Sequence, residues 1–527
     1  MCVLSREARL WHEMLGMLAV NGYLILTMNR RKFLKIGATA TVTTATGGRL
    51  TAGLPAELPE ATSQKFPRWR GFNLLEKFTR ADAAPYVESD FEWLAAWGFN
   101  FVRLPMDYRC WAKTPEAEFD EAVMRDIDQA VAWGKQYGVH VNLNFHRGPG
   151  YCVNPPKENA DLWTDRSMQE QCARHWGIFA RRYRGTSSRQ LSFDLVNEPP
   201  EIDDAQYAAA LKPAIEAIRA ADPQRLIIAD GLAWGTKPSL DLIPLGVAQS
   251  TRGYEPMTLS MYKVPWVQGS DEDPLPVWPV PVRINCHLFG SGKPELQIPL
   301  ALHAKCPEET LFRIRVGHVS AEADLVVRAD GAVVLQNLFK PGPGAGEWKK
   351  SVANEWGSYD GDYDRELTAV IPAGTREIQV GVGQGDWMTF SELQIGGTVI
   401  RLFDGNWGEK QEAFVVDADG ARPLDGRFSC SKETLWNQRI KPWMDLAAKG
   451  VGVHVGEWGA FNRTPHDVTL AWMRDCLENW RSAGYGWALW NLRGDFGVLD
   501  SDRSDVKYEN FHGHKLDRKM LDLLRAF

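Results

Sequence analysis

At 527 residues the chain is too long for one small domain, and two or three compact units are expected. Charged residues at 24% and hydrophobic ones at 44% describe a globular protein rather than a disordered or fibrous one. The net charge of -7 gives no reason to expect nucleic acid as a partner.

The chain opens with an address. Met28-Asn-Arg-Arg-Lys-Phe-Leu-Lys35 resembles the twin-arginine export signal, and a mildly apolar run rich in Ala and Thr follows from Ile36 to Gly48. Residues 1–62 are therefore expected to be a leader, with Met28 the better start codon and the mature protein secreted or periplasmic. No later run of 18 or more apolar residues predicts a membrane span. The eight cysteines show no metal-binding spacing, and buried free thiols are expected. No metal or other cofactor is expected, and the protein is expected to be a monomer.

Beyond the leader, strands and helices alternate. Trp69–Asn73 reads as a first strand, Tyr86–Trp97 as a helix and Asn100–Leu104 as a second strand. Glu121–Tyr137 has Val123, Ile127, Ala130, Val131 and Gly134 at helical spacing. Strand three is Val139–Phe145, and Ser167–Tyr183 is helical. Strand four, Leu191-Ser-Phe-Asp-Leu-Val, leads into Asn197-Glu198-Pro199. Helix Gln206–Ala220, strand Arg225–Ala229 and a weaker strand Val247–Tyr254 follow. Much later Val451-Gly-Val-His-Val-Gly leads into Glu457-Trp458; then come helix Asp467–Ser482, strand Tyr485–Trp490 and helix Lys515–Arg525. Eight strands alternating with helices predict an α/β fold, a (β/α)8 TIM barrel made of residues 63–269 and 432–527.

Between 270 and 431 the helical rhythm stops. Phe312, Ile314 and Val316 alternate with Arg313 and Arg315, and Ala329-Asp-Gly331 between two apolar runs is a hairpin signature. Glu377–Val382 and Met388–Ile395 read as further strands. An inserted all-β sandwich is expected in a loop at the catalytic face, serving as a carbohydrate-binding module or as a buttress.

Glu198 and Glu457 lie far apart in sequence, yet each sits where an apolar strand opens into a loop. A single such glutamate is most often a loop charge. Two brought together at strand ends suit glycoside hydrolysis, one as neutral acid and the other as ionised nucleophile or base.

Further motifs fall in chain order: Phe-Val-Arg103-Leu-Pro, Asn-Phe-His146-Arg-Gly-Pro-Gly, Asn197-Glu198-Pro199, Tyr254-Glu-Pro256, Gly456-Glu457-Trp458 and Trp490-Asn491. Together they resemble glycoside hydrolase family 5, the cellulase-type retaining enzymes, over about residues 66–265 and 432–526. One position departs: a histidine usually stands two residues before the strand-six tyrosine, and here it is Arg252. The departure bears on the local hydrogen bonding at the sugar and not on the assignment of the carboxylate pair.

Charge logic and the resemblance assign the same roles. Glu198 is the expected general acid/base, its pKa raised by burial and by Glu457. Glu457 is the expected nucleophile, kept ionised by Arg103 and Tyr254. Asn197 is suited to the sugar 2-hydroxyl, His146 to ordering substrate or a carboxylate, and Trp490 to stacking beneath the sugar. Trp111, Tyr151, Trp163, Trp234, Trp266 and Trp458 are candidates for sugar subsites near strand ends. The expected substrate is a β-1,4-linked glucan, as polysaccharide or oligosaccharide. Mannan, xyloglucan and β-1,3-glucan are the alternatives for the same chemistry, and a non-hydrolytic glycan-binding barrel is the alternative from another class.

Overall fold

The computed structural model describes residues 57–527, except 268–269, 271–272, 274, 281–283, 401, 404–406, 409, 412, 418–419 and 424–429. The export signal expected at 28–48 lies outside the described residues. The chain divides into two compact units, one running to Pro276 and resuming at Arg439, the other Val277–Gln438.

The first unit contains strands β1 (Arg70–Asn73), β2 (Phe101–Asp107), β3 (His140–Gly148), β4 (Leu191–Asp194), β5 (Leu226–Asp230), β6 (Ala248–Gly253), β7 (Val453–Trp458) and β8 (Gly486–Leu489). They pair in the order β2-β1-β8-β7-β6-β5-β4-β3, and β2 pairs with β3 to close the ring. Every one of these pairings is parallel. Strands covered on both faces read as near-continuous apolar runs, which is why Phe101–Met106 shows no alternation.

The helices start where aspartates cap them. Asp120 accepts from Ala122 N at the start of α2 (Glu121–Tyr137), Asp165 from Ser167 N before α3 (Arg166–Arg182), and Asp203 from Gln206 N before α4 (Asp204–Ala221). Helix α1 (Glu88–Ala96) precedes these, and α5 (Lys441–Ala447), α6 (His466–Ala483) and α7 (Arg518–Arg525) follow. The last helix begins later than the sequence suggests. His514–Leu516 instead pairs with Glu509–Phe511 as a hairpin, and Asp517 caps α7 by accepting from Met520 N.

The strand N-termini are sealed by Trp69, Phe101, Leu226, Ile228, Ala248 and Ala488, joined by Ala61. Ala61 is buried, so packing begins ahead of residue 63, where the sequence suggests that the leader ends. Toward the strand C-termini the filling of the barrel turns polar, and there the candidate residues gather.

The second unit is a ten-stranded mixed sheet organised by two long strands, Thr310–Ala329 and Glu377–Ile395. One half of Thr310–Ala329 pairs with Tyr359–Ile371 and the other with Ala332–Phe339, while Glu377–Ile395 runs antiparallel along both halves. Register shifts interrupt that pairing between Arg315 and Leu325, and one apolar core includes residues from both halves. The sequence suggests two strands where Glu377–Ile395 is one, since Gly383-Gln-Gly385-Asp386 interrupts the apolar alternation. The hairpin at Asp330-Gly331 has φ of 44° and 87°, the left-handed pair a two-residue turn requires. The ends of the unit meet in an antiparallel bridge between Val280 and Cys430.

Candidate active site

Four strands and the turn after β4 supply a buried ionic network. Arg103 projects from β2, Asp230 ends β5, Arg252 lies on β6 and Glu457 on β7. All four are at most 5% exposed. Glu198 follows β4 with φ of 48°, a left-handed backbone unusual outside glycine. Its N–H donates to Asp230 Oδ2 at 2.9 Å, and its carbonyl accepts from the Tyr151 hydroxyl at 2.6 Å, so the strained turn is held on both sides.

Glu457 has partners on both oxygens. Arg103 Nη1 donates to Oε1 at 2.5 Å, and the Tyr254 hydroxyl donates to Oε2 at 3.2 Å. Arg252 Nη2 lies 3.3 Å from Oε1. Arg103 spends its remaining donors on Asp194 Oδ2 at 2.8 Å, Asn73 Oδ1 at 3.2 Å and Asn197 Oδ1 at 2.7 Å.

Asn197 is oriented by two cations. Its Oδ1 accepts from Arg103 Nη2 and, at 2.9 Å, from Arg252 Nη2. Its Nδ2 is buried with no partner. The amide therefore offers a donor that the protein leaves unused.

Charge counting explains the protonation of the site. Two guanidinium groups stand among four buried carboxylates: Asp194, Glu198, Asp230 and Glu457. The two in excess favour protons. Burial, and then Glu457, push Glu198 up to about 8, against the pull of Arg252. Burial, and then Asp230, push Asp194 up to about 7, with Arg103 opposing.

His146 ends up neutral. Burial first, and then Arg103, hold its pKa down to about 3. Its Nε2 bonds Asn154 Oδ1 at 2.8 Å, and its Nδ1 has no partner. Trp490 is partly exposed, with Phe78 packed edge-on at 5.5 Å and His146 tilted at 5.7 Å.

All seven site residues taken from the sequence belong to the barrel unit. Arg103, Asn197, Glu198, Tyr254 and Glu457 share one hydrogen-bonded network, and His146 and Trp490 pair beside each other. The other aromatics divide. Trp111 and Trp458 are core residues, at 1% and 0% exposure. Tyr151 holds the Glu198 turn and packs on Trp163, and Trp266 is exposed against Phe461.

Sequence reasoning missed Asp194 and Asp230. Each is an acid at the end of a buried strand, the same signal that singles out the glutamates. Arg252, whose effect the sequence leaves open, joins the carboxylate pair directly. Its Nε donates to Glu198 Oε1 at 2.8 Å, and it touches Glu457 as well. An arginine reaches both carboxylates from this position and carries a charge at any ordinary pH.

The family model described as Cellulase (glycosyl hydrolase family 5) matches residues 60–254. Endoglucanase C of Acetivibrio thermocellus is 27% identical over 189 residues, 35% of this chain and 54% of that protein. Glucan 1,3-beta-glucosidase of Blumeria graminis is 27% identical over 130 residues, 24% of this chain and 30% of that protein. The chain thus spans about half the length, or less, of these curated relatives. A solved structure described as a glycoside hydrolase covers 87% of this chain and 99% of its own, at 28% identity and TM-score 0.57. Cel5A of Thermotoga maritima shares the fold at 13% identity, covering 87% of this chain and 96% of its own at TM-score 0.50. With its motifs ending the strands of a closed parallel barrel, this chain has the fold of a glycoside hydrolase, and its residues 60–254 match the glycosyl hydrolase family 5 model.

Proposed function

We propose that the chain is an exported endo-β-glycosidase that hydrolyses a β-1,4-linked glucan by double displacement with retention. The observation that carries this reading is a pair of buried glutamates in unlike surroundings. Glu457 is surrounded by donors, whereas burial and a like charge push Glu198 up to about 8.

In the first step Glu457 attacks the anomeric carbon while Glu198 gives its proton to the departing glycosidic oxygen. The products are a glycosyl ester on Glu457 and an ionised Glu198. In the second step Glu198 takes a proton from water, whose oxygen attacks the anomeric carbon and frees Glu457. Asn197 Nδ2 donates to the sugar 2-hydroxyl, a contact that tightens as the ring gains oxocarbenium character. Trp490 supplies an apolar face beneath the same sugar, and neutral His146 orders it. Export rests on the twin-arginine pattern at residues 28–35.

Reducing-sugar release from cellulose derivatives, mannan, xyloglucan and β-1,3-glucan tests the substrate. Proton NMR of the first-formed anomer tests retention. Initial release of the opposite anomer would overturn double displacement, and no release from any polymer would leave the glycan-binding barrel.

The second unit we assign to glycan binding. Trp407, 54% exposed, stands edge-on to Phe289 and Trp387, an aromatic surface a sugar could cover. The full chain carrying Glu457→Gln should be retarded in gels containing the polymer, and Trp407→Ala should relieve the retardation. Equal mobility of the two would return this unit to a buttress.

A further inference from the structure

Arg252 is the residue by which this chain departs from the family 5 pattern, and its surroundings are built to hold it. It lies 5% exposed on β6. Nε donates to Glu198 Oε1 at 2.8 Å. Nη1 donates to Asp230 Oδ1 at 3.0 Å and Ser250 Oγ at 3.1 Å. Nη2 donates to Asn197 Oδ1 and Asp230 Oδ2, and lies 3.3 Å from Glu457 Oε1. Two glycines make the room. A Cβ on Gly235, itself at φ of 79°, would lie 2.7 Å from Arg252 Cγ, and one on Gly456 would lie 3.1 Å from Nη1 and 2.4 Å from Ser250 Oγ. A guanidinium this enclosed has its geometry fixed by its neighbours.

We propose that Arg252 is a positioning residue that serves as the shared counter-charge of both carboxylates, directing the transferable proton to Glu198 Oε2 and holding Glu198 ionised once Glu457 has become an ester. The proposal rests on the double-displacement reading above. Its first half follows from occupancy: Oε1 already accepts from Nε, so the proton sits on Oε2. The second half follows from charge balance. In the free enzyme Glu457 is ionised and Glu198 protonated. In the glycosyl-enzyme Glu457 is neutral, and Glu198 has lost its proton to the leaving group. The pair carries one negative charge in each state, but on a different residue. Arg252 reaches both, so its cation is near the charge before and after the step. Arg103 contacts Glu457 but makes no such bond to Glu198.

Asp230 completes the device. It bonds two guanidinium nitrogens and also accepts the Glu198 N–H, fixing backbone and side chain from one carboxylate. The charged or titratable groups facing this region are Glu198, Glu457, Asp230 and Asp194, with Arg103, Tyr254, Tyr151, Tyr207, His146 and His454 beside them. Among the described residues Arg252 and Arg103 are the cations that oppose the carboxylates, and of the two Arg252 bonds the Glu198 carboxylate.

The experiment compares Arg252→Gln with Arg252→Lys. For each, kcat/KM on 4-nitrophenyl β-cellobioside is measured against pH. In parallel the Glu198 carboxyl is titrated by carbon NMR after 13C labelling of glutamate. Losing the cation destabilises ionised Glu198, so its titration and the basic limb should move up by about one pH unit or more in Arg252→Gln. Arg252→Lys keeps the charge and should stay near the parent in midpoint while losing rate. An unmoved Glu198 titration in Arg252→Gln would overturn the proposal, because a purely structural role predicts loss of rate alone. If Arg252→Gln leaves Asp230 too poorly paired to fold, the double variant Arg252→Gln with Asp230→Asn removes both charges, and a smaller upward shift is expected because Arg252, bonded to Oε1, stands closer to the Glu198 carboxyl than Asp230 does. The titration decides the Arg252 role even in a chain that releases no nitrophenol, an outcome that would count against the hydrolase reading instead.

Discussion

The barrel and the second unit handle charge in opposite ways. In the barrel Arg103, Asp194, Glu198, Asp230, Arg252 and Glu457 are each at most 5% exposed and form one connected network. In the second unit the buried polar residues among those described are Asn285, His287, Ser320, Thr375 and Gln411, with no acid, lysine or arginine. Its ion pairs stay at the surface, as where Arg315 meets Asp364, Glu366 and Glu392. Removing charges from water costs several kcal/mol per ion before pairing recovers part of it. The barrel bears that cost in this network, and the described core of the other unit avoids it, so what the network does is open to direct test.

The largest expected effect comes from the two glutamates. Glu457→Gln and Glu198→Gln should each lower turnover by about three orders of magnitude or more while the fold survives. Azide should partly restore a Glu457→Gly variant and give product of inverted configuration, because a small anion can occupy the vacated position. Parent-like rates in either glutamine variant would make the buried network structural after all.

Next in size is Arg103→Met. It leaves Asp194 and Glu457 without their shared cation, a change expected to cost about 3–5 kcal/mol. Ionised Glu457 then loses a favourable neighbour and accepts a proton more readily, so the acidic limb of kcat/KM should move to higher pH. A uniform loss of rate with that limb unmoved would assign Arg103 to packing.

A comparable change in the other unit should stay there. Phe312 is fully buried in the apolar core of the second unit, and Phe312→Ala should cost about 3–5 kcal/mol. Calorimetry should show one melting transition falling while the barrel's transition and its activity hold. A single transition that falls as a whole would show that the two units share their stability.

How much of this contrast was legible in the sequence depends on the kind of signal. Strands such as Phe101–Asp107 and Val453–Trp458 announced themselves as apolar runs, and α2 ran from Glu121 to Tyr137 as its periodicity suggests. Glu198 and Glu457 were legible because each follows such a run. Arg252 was visible only as a departure, since its meaning depends on Asp230 of the neighbouring strand and on the room left by Gly235 and Gly456. No local pattern carries that three-part fit. In the second unit Gly383–Asp386 breaks the apolar alternation, yet one strand runs through it with register shifts in its pairing.

The smallest effect concerns stability alone. Folded Glu198 has its pKa pushed up to about 8, from an ordinary 4.5. Between those values the folded chain binds a proton that the unfolded chain does not, so stability falls as pH rises through the window. The slope from one such proton is at most about 1.4 kcal/mol per pH unit. Glutamine cannot ionise, so Glu198→Gln should remove this part of the slope and leave the part that Asp194 contributes. The barrel of the variant should melt close to the parent at pH 4.5 and progressively above it toward pH 8. Melting curves at pH 4.5, 6 and 8 decide the matter. Parent and variant running in parallel would mean that Glu198 is as ionised at neutral pH as the surface carboxylates around Arg315. The contrast between the two units would then be one of burial and not of protonation.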